Sequence, residues 1–283
     1  MDDIGSPRDN ADAEIPELLL ARFSEVFFSE TGIRLGLNKR YLFETRLRKL
    51  RQRHPEIRSW ADLNKGLRQR ENHQLMSDFV NLLVTNYSYF LRDPVHFRFL
   101  RYYLARKYNP EKKLNIWSAA CAKGEEAYSI AITVLLTLID PDPEKISILG
   151  TDISRDVLQK AVRGEFRRTL IAETLDNEVI DKFFEPVEGD MLRVNDSVKS
   201  FVRFRQYNLL DRFPGREKFG IVFLRNVLIY FSNQEKEQVL ENIAQQLEPG
   251  GYLILGNSET LVNLKHRFTL INHNIFRLKN HRK

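Results

Sequence analysis

A short apolar run, a loop of small residues and a helical segment follow one another between residues 114 and 138. The apolar run covers residues 114–117, the loop extends over residues 117–126, and the helical segment covers residues 128–138. A strand that leads through a tight loop into a helix is typical of the cradle that binds a nucleoside cofactor. This feature therefore favours an α/β fold in which the loop contacts a ligand.

The composition of the loop narrows the class of ligand. Only Gly124 stands where a pyrophosphate-binding fingerprint would have three glycines. Glu125 and Glu126 open the helix, where they suit the helix dipole but repel a phosphate. We therefore expect a cationic or zwitterionic ligand, and a nicotinamide dehydrogenase is disfavoured because its cofactor carries a pyrophosphate.

Strand and helix patterns alternate through most of the chain after this loop. Such alternation predicts βαβ units with a parallel sheet. The mixed segment 164–206, with alternating residues at 198–205, predicts a small inserted β-subdomain at about 165–206. The chain ends with a predicted antiparallel hairpin over residues 266–278. The other predicted strands cover residues 114–119, 146–151, 220–224 and 252–255, and the helices residues 125–139, 154–162 and 233–247.

The first part of the chain lacks strand patterns. Apolar residues at helical spacing predict helices over residues 18–28 and 40–53, with more helix over residues 59–83. We therefore expect an all-helical domain over residues 14–84. Residues 85–93 are polar and aromatic and precede Pro94, which is typical of a linker. The remaining residues, 94–283, would form the α/β domain.

Charge is unevenly distributed along the chain. The formal net charge is +6, but residues 34–70 alone carry twelve Lys or Arg against three acids. Such a basic segment is typical of a surface that meets nucleic acid or an acidic protein, although it is equally typical of a solvated helix face. It marks the helical domain as the basic part of the protein.

Composition also bears on location and on metal binding. The single cysteine excludes an internal disulfide, and the six histidines lack the paired spacing of metal ligands. No apolar run is long enough to span a bilayer, and the first residues are acidic and polar. We therefore expect a cytoplasmic protein that holds no metal and does not enter a membrane.

Polar residues follow the predicted strands, at the edge where α/β sheets bind ligands. Asp152 could accept ribose hydroxyls or cap the next helix. Asn208 and Leu209 could provide an amide and an apolar wall for an adenine ring. Arg225 and Asn226 end a buried strand, where a charge is costly unless it is paired, so a ligand or a structural ion pair is expected there.

Two further residues have plain structural interpretations. Cys121 lacks a base nearby in sequence, which favours a small buried side chain over a nucleophile. Tyr230 lies in an apolar stretch, where a lone tyrosine usually packs in the core. Neither residue would indicate a function by itself.

Five segments in order carry a family resemblance: residues 85–93 (TNYSYFLRD), 117–129 (WSAACAKGEEAYS), 150–152 (GTD), 224–231 (LRNVLIYF) and 249–259 (PGGYLILGNSE). Together they resemble the chemotaxis receptor methyltransferases of the CheR family, over nearly the whole chain. The resemblance implies a Rossmann-like S-adenosylmethionine-dependent methyltransferase fold, with S-adenosylhomocysteine as product. It also implies methyl esterification of glutamates on the cytoplasmic signalling helices of methyl-accepting chemoreceptors.

The resemblance further implies the site residues. It places Asn86, Ser88 and Arg92 over the cofactor, with Glu126 on the amino-acid portion and Asp152 on the ribose. The residues that would complete the pocket are Asn208, Leu209, Arg225 and Asn226, and those nearest the transferred methyl are Arg92 and Tyr230. Departures from the family pattern are Ser88 where Thr is frequent, Lys123 where Thr is common and Ala127 where Pro is usual.

The implied reaction agrees with the residue types. A glutamate is ionised at neutral pH, so it needs no general base, whereas a cation such as Arg92 could orient it. The basic segment 34–70 would attract glutamate-rich receptor helices. The short turn at residues 185–190 favours a form that does not need a receptor tether peptide. A nucleic-acid methyltransferase and a non-catalytic adaptor that binds the cofactor remain as alternatives.

Overall fold

The computed structural model describes residues 14–34, 40–69 and 72–279, and the chain divides into two compact units after Thr85. The described part of the first unit is helical, as predicted. Gly32, with φ of 70°, ends the first helix in the left-handed region, and the side chain of Asn72 caps the fourth. The helices are α1 (Glu17–Thr31), α2 (Arg40–Arg53), α3 (Trp60–Gln69) and α4 (His73–Leu83).

Amphipathic spacing explains how the first unit packs. Phe27 of α1 and Phe79 of α4 are fully buried, with their ring centroids 6.1 Å apart in an edge-to-face contact. Leu47 and Leu50 of α2 and Trp60 of α3 are buried as well. The apolar stripes visible in the sequence therefore form the core of this unit.

The second unit contains a seven-stranded sheet with the order β6-β2-β1-β7-β8-β10-β9. Its strands are parallel except for β10, which is antiparallel to both β8 and β9. The strands of this sheet are β1 (Leu114–Ala119), β2 (Ile146–Asp152), β6 (Val202–Gln206), β7 (Phe219–Leu224), β8 (Leu247–Leu255), β9 (Phe268–Asn272) and β10 (Ile275–Leu278).

Four helices accompany the sheet in the described chain, and three of them agree closely with the predicted bounds, whereas the helix at Pro94–Arg106 was not predicted. Helix α6 is buried on nearly all sides, and the hydroxyls of Ser129 and Thr133 donate to carbonyls one turn earlier. It ends two residues before the predicted bound because Leu138 is extended and Ile139 is exposed. The helices are α5 (Pro94–Arg106), α6 (Glu125–Thr137), α7 (Arg155–Arg163) and α11 (Asn233–Gln246).

The inserted subdomain is smaller than predicted. It contains a three-stranded antiparallel sheet with the order β3-β5-β4. Residues 198–205 were expected to add strands to it, and this prediction is wrong, because Val202–Gln206 pairs in parallel with β2 at the edge of the main sheet. An alternating pattern indicates a half-buried strand but does not say which sheet it joins. The elements of this region are β3 (Glu165–Arg167), α8 (Arg168–Ala172), α9 (Asn177–Phe183), β4 (Phe184–Pro186), β5 (Met191–Val194) and α10 (Asp196–Lys199).

The connections position the functional residues. Strands β1, β2, β6, β7 and β8 run in parallel, so their carboxyl ends lie at one edge of the sheet. The hairpin turn between β9 and β10 reaches the same edge because β10 is antiparallel to β8. Residues 85–93 contain no helix or strand. None of the described helices is long and apolar enough to cross a membrane.

Candidate active site

The loop between β1 and α6 is a tight turn of small residues at the carboxyl edge of the sheet. Ala120, Ala122 and Gly124 have positive φ angles of 69°, 50° and 95°. The backbone N–H of Cys121 donates to the carbonyl of Thr151, with 2.8 Å between N and O. The loop is therefore fixed beside the end of β2, in the position where α/β sheets bind ligands.

Asp152 stabilises this loop from the end of β2. Its buried carboxylate accepts the backbone N–H groups of Ala122 and Ser154, each at 3.0 Å. The cap of α7 is Ser154, whose side chain accepts the N–H of Val157, so the interpretation of Asp152 as the helix cap is wrong. Burial raises the pKa of Asp152 to about 6, although the backbone hydrogen bonds oppose that shift.

Glu125, at the first position of α6, provides a buried polar atom without a partner. Its Oε1 lies 3.6 Å from Nζ of Lys123, whereas Oε2 has no hydrogen-bond partner among the described residues. Burial raises the pKa of this carboxyl group. An unpaired buried carboxylate oxygen is costly, so this position suits an ammonium or hydroxyl group of a ligand.

Arg225 lies at the end of β7 and connects three parts of the site. Its Nη1 donates to Oε2 of Glu126 at 2.8 Å, and its Nη2 donates to Oδ2 of Asp93 at 2.7 Å and to the carbonyl of Arg92 at 2.6 Å. Glu126 also accepts the hydroxyl of Ser118 at 2.6 Å. The predicted charge at the strand end is therefore compensated by two carboxylates, which makes its burial tolerable.

The linker is held in a defined conformation around Arg92. Leu91 and Asp93, on either side of it, have positive φ angles of 51° and 54°, which non-glycine residues rarely adopt. The N–H of Leu91 donates to Oγ of Ser129, and Oδ1 of Asp93 accepts the side chain of Asn257 at 2.7 Å. Strained backbone persists where surrounding contacts enforce it, as they do here.

In contrast to its backbone, the side chain of Arg92 is lightly held. Its Nη1 donates to the carbonyl of Tyr87 at 3.3 Å, and its guanidinium carbon lies 5.6 Å from the ring centroid of Tyr89. No carboxylate pairs with it among the described residues. The group therefore has donors left for an incoming anion.

The segment after β6 reaches the same edge. The N–H of Tyr207 donates to the carbonyl of Asp152 at 3.0 Å, which puts the following Asn208 and Leu209 next to the end of β2. Leu209 is buried, and its carbonyl accepts the side chain of Asn242 at 3.1 Å. The Oδ1 atom of Asn208 accepts the N–H of Leu210 at 3.0 Å.

The turn after β7 contains Asn226 and Tyr230. Asn226 has a positive φ of 58°, and its N–H donates to Glu259. Tyr230 is half-buried and ends a short 3-10 turn, Leu228–Tyr230, so it does not belong to the core. Glu259 belongs to a segment that carries the resemblance, yet no sequence pattern assigned it a role. The sequence feature that could have identified Glu259 is its position shortly after β8, at the edge of the sheet where ligands bind.

His96 is a further buried polar residue that no sequence pattern indicated. It is completely buried near Arg225, and its Nε2 contacts the carbonyl of His273 at 3.0 Å. Burial and the charge of Arg225 lower its pKa to about 4. A neutral ring must donate through Nε2 in this contact, so Nδ1 is the acceptor atom. Its isolation in the sequence offered no pattern that would have identified it.

The structure joins several predicted residues directly and places others nearby. Arg92, Glu126 and Arg225 are connected by hydrogen bonds, whereas Asn86 and Ser88 lie half-buried in the linker. Hydrogen bonds from the side chains of Asn86, Ser88 and Tyr230 to other predicted site residues are absent within the described ranges. Among the described residues, the predicted site residues therefore do not form one continuous hydrogen-bond network.

The residues present are compatible with S-adenosylmethionine. Carboxylates at the start of α6 and the end of β2 suit an ammonium group and ribose hydroxyls, and the unpaired Oε2 of Glu125 is an available acceptor. The thiol of Cys121 is buried and its pKa is raised by burial, which agrees with a packing role. Groups of three or more potential metal ligands are absent from the part of the chain that the structure describes.

Comparisons with known proteins agree with this geometry. The family model described as "CheR methyltransferase, SAM binding domain", where SAM is S-adenosylmethionine, matches residues 86–276. A chemotaxis protein methyltransferase of Vibrio parahaemolyticus is 37% identical and covers 91% of this chain and 95% of its own. Cher2 of Pseudomonas putida is 35% identical over 85% and 89%, and the Salmonella typhimurium protein is 32% identical over 91% and 88%.

These matches confirm the predicted fold class and the predicted cofactor. They cover both compact units, because more than nine-tenths of the chain aligns with the Vibrio parahaemolyticus relative. The chain therefore belongs to the CheR family of S-adenosylmethionine-dependent methyltransferases.

Proposed function

We propose that this protein transfers a methyl group from S-adenosylmethionine to glutamate side chains on the cytoplasmic signalling helices of chemoreceptors. The observation that carries the proposal is similarity over nearly the full chain to proteins named chemotaxis protein methyltransferases. The unpaired guanidinium donors of Arg92 support it independently, because a carboxylate acceptor needs a cation to orient it. The product would be a glutamate methyl ester, and the protein would act in the cytoplasm.

The proposed methyl transfer has little need of general acid or general base catalysis. S-adenosylmethionine supplies a methyl group made electrophilic by the sulfonium. A glutamate with a pKa near 4.3 is already a nucleophilic anion at neutral pH. His96 is unsuited as a base because its Nε2 is bound to the carbonyl of His273 and its pKa is lowered to about 4. Positioning and exclusion of water would therefore provide most of the acceleration.

Each predicted site residue has a proposed task. Arg92 would orient the acceptor carboxylate through a loose contact, since a tight pair would weaken the nucleophile. Arg225 would hold the backbone of Arg92 and the carboxylate of Glu126, and Tyr230 would lie near the transferred methyl. The residues proposed to contact the cofactor are Asn86, Ser88, Arg92, Glu126, Asp152, Asn208, Leu209, Arg225 and Asn226.

The basic helical unit is the proposed surface for the receptor. Segment 34–70 carries a net charge of +9, counted as twelve basic against three acidic residues. In α2, Lys49 and Arg53 are exposed. Charge complementarity of this kind raises association rates with acidic partners. The loop between β4 and β5 spans only residues 187–190, and we propose that no receptor tether peptide is needed, which calorimetry with the isolated peptide would test.

The experiment that tests the function is transfer of radiolabelled methyl from S-adenosylmethionine to receptor cytoplasmic fragments. Mild alkali should release the label as methanol, because it hydrolyses a carboxyl ester but not an N-methyl group. A receptor fragment with its glutamates changed to glutamine is the matched control. Label that appears in RNA or DNA instead would favour the nucleic-acid alternative, and cofactor binding without turnover would favour the adaptor alternative.

A further inference from the structure

Glu259 is a buried carboxylate that the proposed mechanism does not use. It lies four residues after the end of β8, and only 5% of its surface is exposed. Its partners in the described structure are four backbone N–H groups. Oε1 accepts from Val227 at 2.9 Å and Leu228 at 2.8 Å, whereas Oε2 accepts from Asn226 at 2.9 Å and Gly256 at 2.7 Å.

Three of these donors belong to consecutive residues, 226–228. Consecutive N–H groups that converge on one point form a nest, which in other proteins binds a free anion. Here the anion is supplied by the protein itself. The carboxylate accepts all three of these N–H groups as well as that of Gly256, so each of its oxygens receives two hydrogen bonds. A carboxylate that accepts four backbone N–H groups fixes the conformation of this turn more strongly than a single hydrogen bond would.

The turn fixed in this way carries functional residues at both ends. Arg225 immediately precedes the first bound N–H, and Tyr230 lies two residues after the last. Asn226 itself is in the left-handed region, with φ of 58°. Asparagine tolerates this region better than most non-glycine residues, and the hydrogen bond from its N–H to Glu259 holds it there. The contact with Glu259 therefore sets the direction in which Arg225 and Asn226 point.

The turn after β8 is shaped to allow this contact. A Cβ atom at Gly256 would lie 2.9 Å from Nδ2 of Asn226 and 3.0 Å from Oε2 of Glu259, so only glycine leaves room. Asn274, in the hairpin turn, donates to the carbonyls of Gly256 at 2.8 Å and Glu259 at 3.0 Å. The side chain of Asn257, the residue after Gly256, donates to Oδ1 of Asp93 at 2.7 Å. The turn after β8 thus contacts the turn after β7 and the linker simultaneously.

We infer that Glu259 is a positioning residue for methyl transfer, because its carboxylate holds the turn that carries Arg225, Asn226 and Tyr230. This inference rests on the proposed function for the roles of those residues. It does not require Glu259 to touch cofactor or substrate. Its effect is transmitted through the backbone of residues 226–228 and through the ion pairs of Arg225.

The test begins with Glu259→Gln in the full chain. The glutamine amide keeps the size of the side chain but turns an NH2 group toward two backbone donors, so at least two hydrogen bonds are lost. We expect S-adenosylhomocysteine to bind about 10-fold more weakly by calorimetry, which is a change of about 1.4 kcal/mol. We also expect kcat for receptor methylation to fall while KM for the receptor changes little.

Two further variants separate positioning from charge and from general destabilisation. Glu259→Asp retains the charge, but its side chain is one methylene shorter. Because the carboxylate would no longer reach all four N–H groups, we expect cofactor affinity and kcat to fall as they do in Glu259→Gln. Gly256→Ala retains Glu259 but places a Cβ atom against Oε2 of Glu259 and Nδ2 of Asn226, so it should disturb the contact between the two turns. Glu44→Gln, which removes a buried carboxylate of α2, is the control and should leave cofactor affinity unchanged.

Hydrogen exchange distinguishes the possible outcomes. Amides 226–228 should exchange faster in Glu259→Gln, whereas those of α11 should be unaffected. A lowered thermal midpoint with unchanged cofactor affinity, unchanged kcat and unchanged exchange at 226–228 would overturn the inference. If the wild-type protein binds the cofactor but methylates no receptor, the proposed function fails, and the affinity and exchange measurements still decide the role of Glu259.

Discussion

The guanidinium of Arg225 and the carboxylate of Glu126 form a buried ion pair, with 2.8 Å between Nη1 and Oε2. Arg225 lies at the end of β7 and Glu126 at the start of α6, and the two residues are 99 positions apart in the sequence. The same guanidinium binds Asp93 and the carbonyl of Arg92. One side chain therefore connects the cofactor-binding loop to the linker.

Replacing Arg225 with methionine should strongly destabilise the second unit. The substitution leaves the buried Glu126 and the partly buried Asp93 without their cation, and removal of one partner of a buried pair costs about 3–5 kcal/mol. Urea unfolding followed by circular dichroism would measure the loss. Arg203→Met is the control, because the pair of Arg203 with Glu217 is much more exposed than that of Arg225 and should contribute less than about 1 kcal/mol. Equal losses in the two variants would contradict this prediction.

Replacing Arg92 with alanine should impair catalysis more than cofactor binding. Its side chain makes one long hydrogen bond, to the carbonyl of Tyr87, and lies over the ring of Tyr89, so its removal breaks no ion pair among the described residues. Loss of a hydrogen bond to a charged acceptor costs about 1.5–3 kcal/mol, which corresponds to roughly 10- to 150-fold in kcat/KM. Radiolabel transfer and calorimetry would separate the two effects. Arg92→Lys should recover part of the rate, and unchanged methyl transfer in Arg92→Ala would rule out this role.

The fold was largely predictable because its signals are local. Strands β1 and β7 are buried on both faces, which produces continuous apolar runs, and Ser154 and Gly164 bound α7 with recognisable caps. The assignment of strand β6 failed because only long-range pairing decides whether an alternating segment joins the main sheet. Local patterns contain no information about that choice.

At the candidate site, the need of Arg225 for a partner was predictable from the sequence, but the identity of its partners was not. Arg225 was recognisable because a charge at a buried strand end requires a partner, and the structure supplies Glu126 and Asp93. Glu259 and His96 were not recognisable, since each acts through atoms that are distant in sequence. Glu259 binds backbone groups about thirty residues away, and His96 contacts a carbonyl 177 residues away.

Salt should weaken receptor methylation more than cofactor binding. The +9 charge of segment 34–70 would attract acidic receptor helices, and ions screen such attraction beyond about 10 Å at 0.1 M. The cofactor would be held by short buried contacts, which salt affects little. The measurements are KM for a receptor fragment and Kd for S-adenosylhomocysteine at rising ionic strength. The double variant Lys49→Ala, Arg53→Ala should reduce the salt dependence of KM, and parallel responses of KM and Kd would contradict the role of the basic segment.

Cofactor binding should weaken as the pH falls through 6. Burial raises the pKa of Asp152 to about 6, so the carboxylate is mostly ionised at pH 8 but only roughly one-tenth ionised at pH 5. The ionised form is the better acceptor for ribose hydroxyls, and protonation at low pH removes acceptor capacity. Affinity should therefore be fully present above pH 7 and fall by up to about 10-fold at pH 5. Calorimetry with S-adenosylhomocysteine across this range would measure the change. Asp152→Asn should bind weakly with a flatter pH profile, and a wild-type affinity that stays constant from pH 8 to pH 5 would exclude an ionised Asp152 as the ribose acceptor.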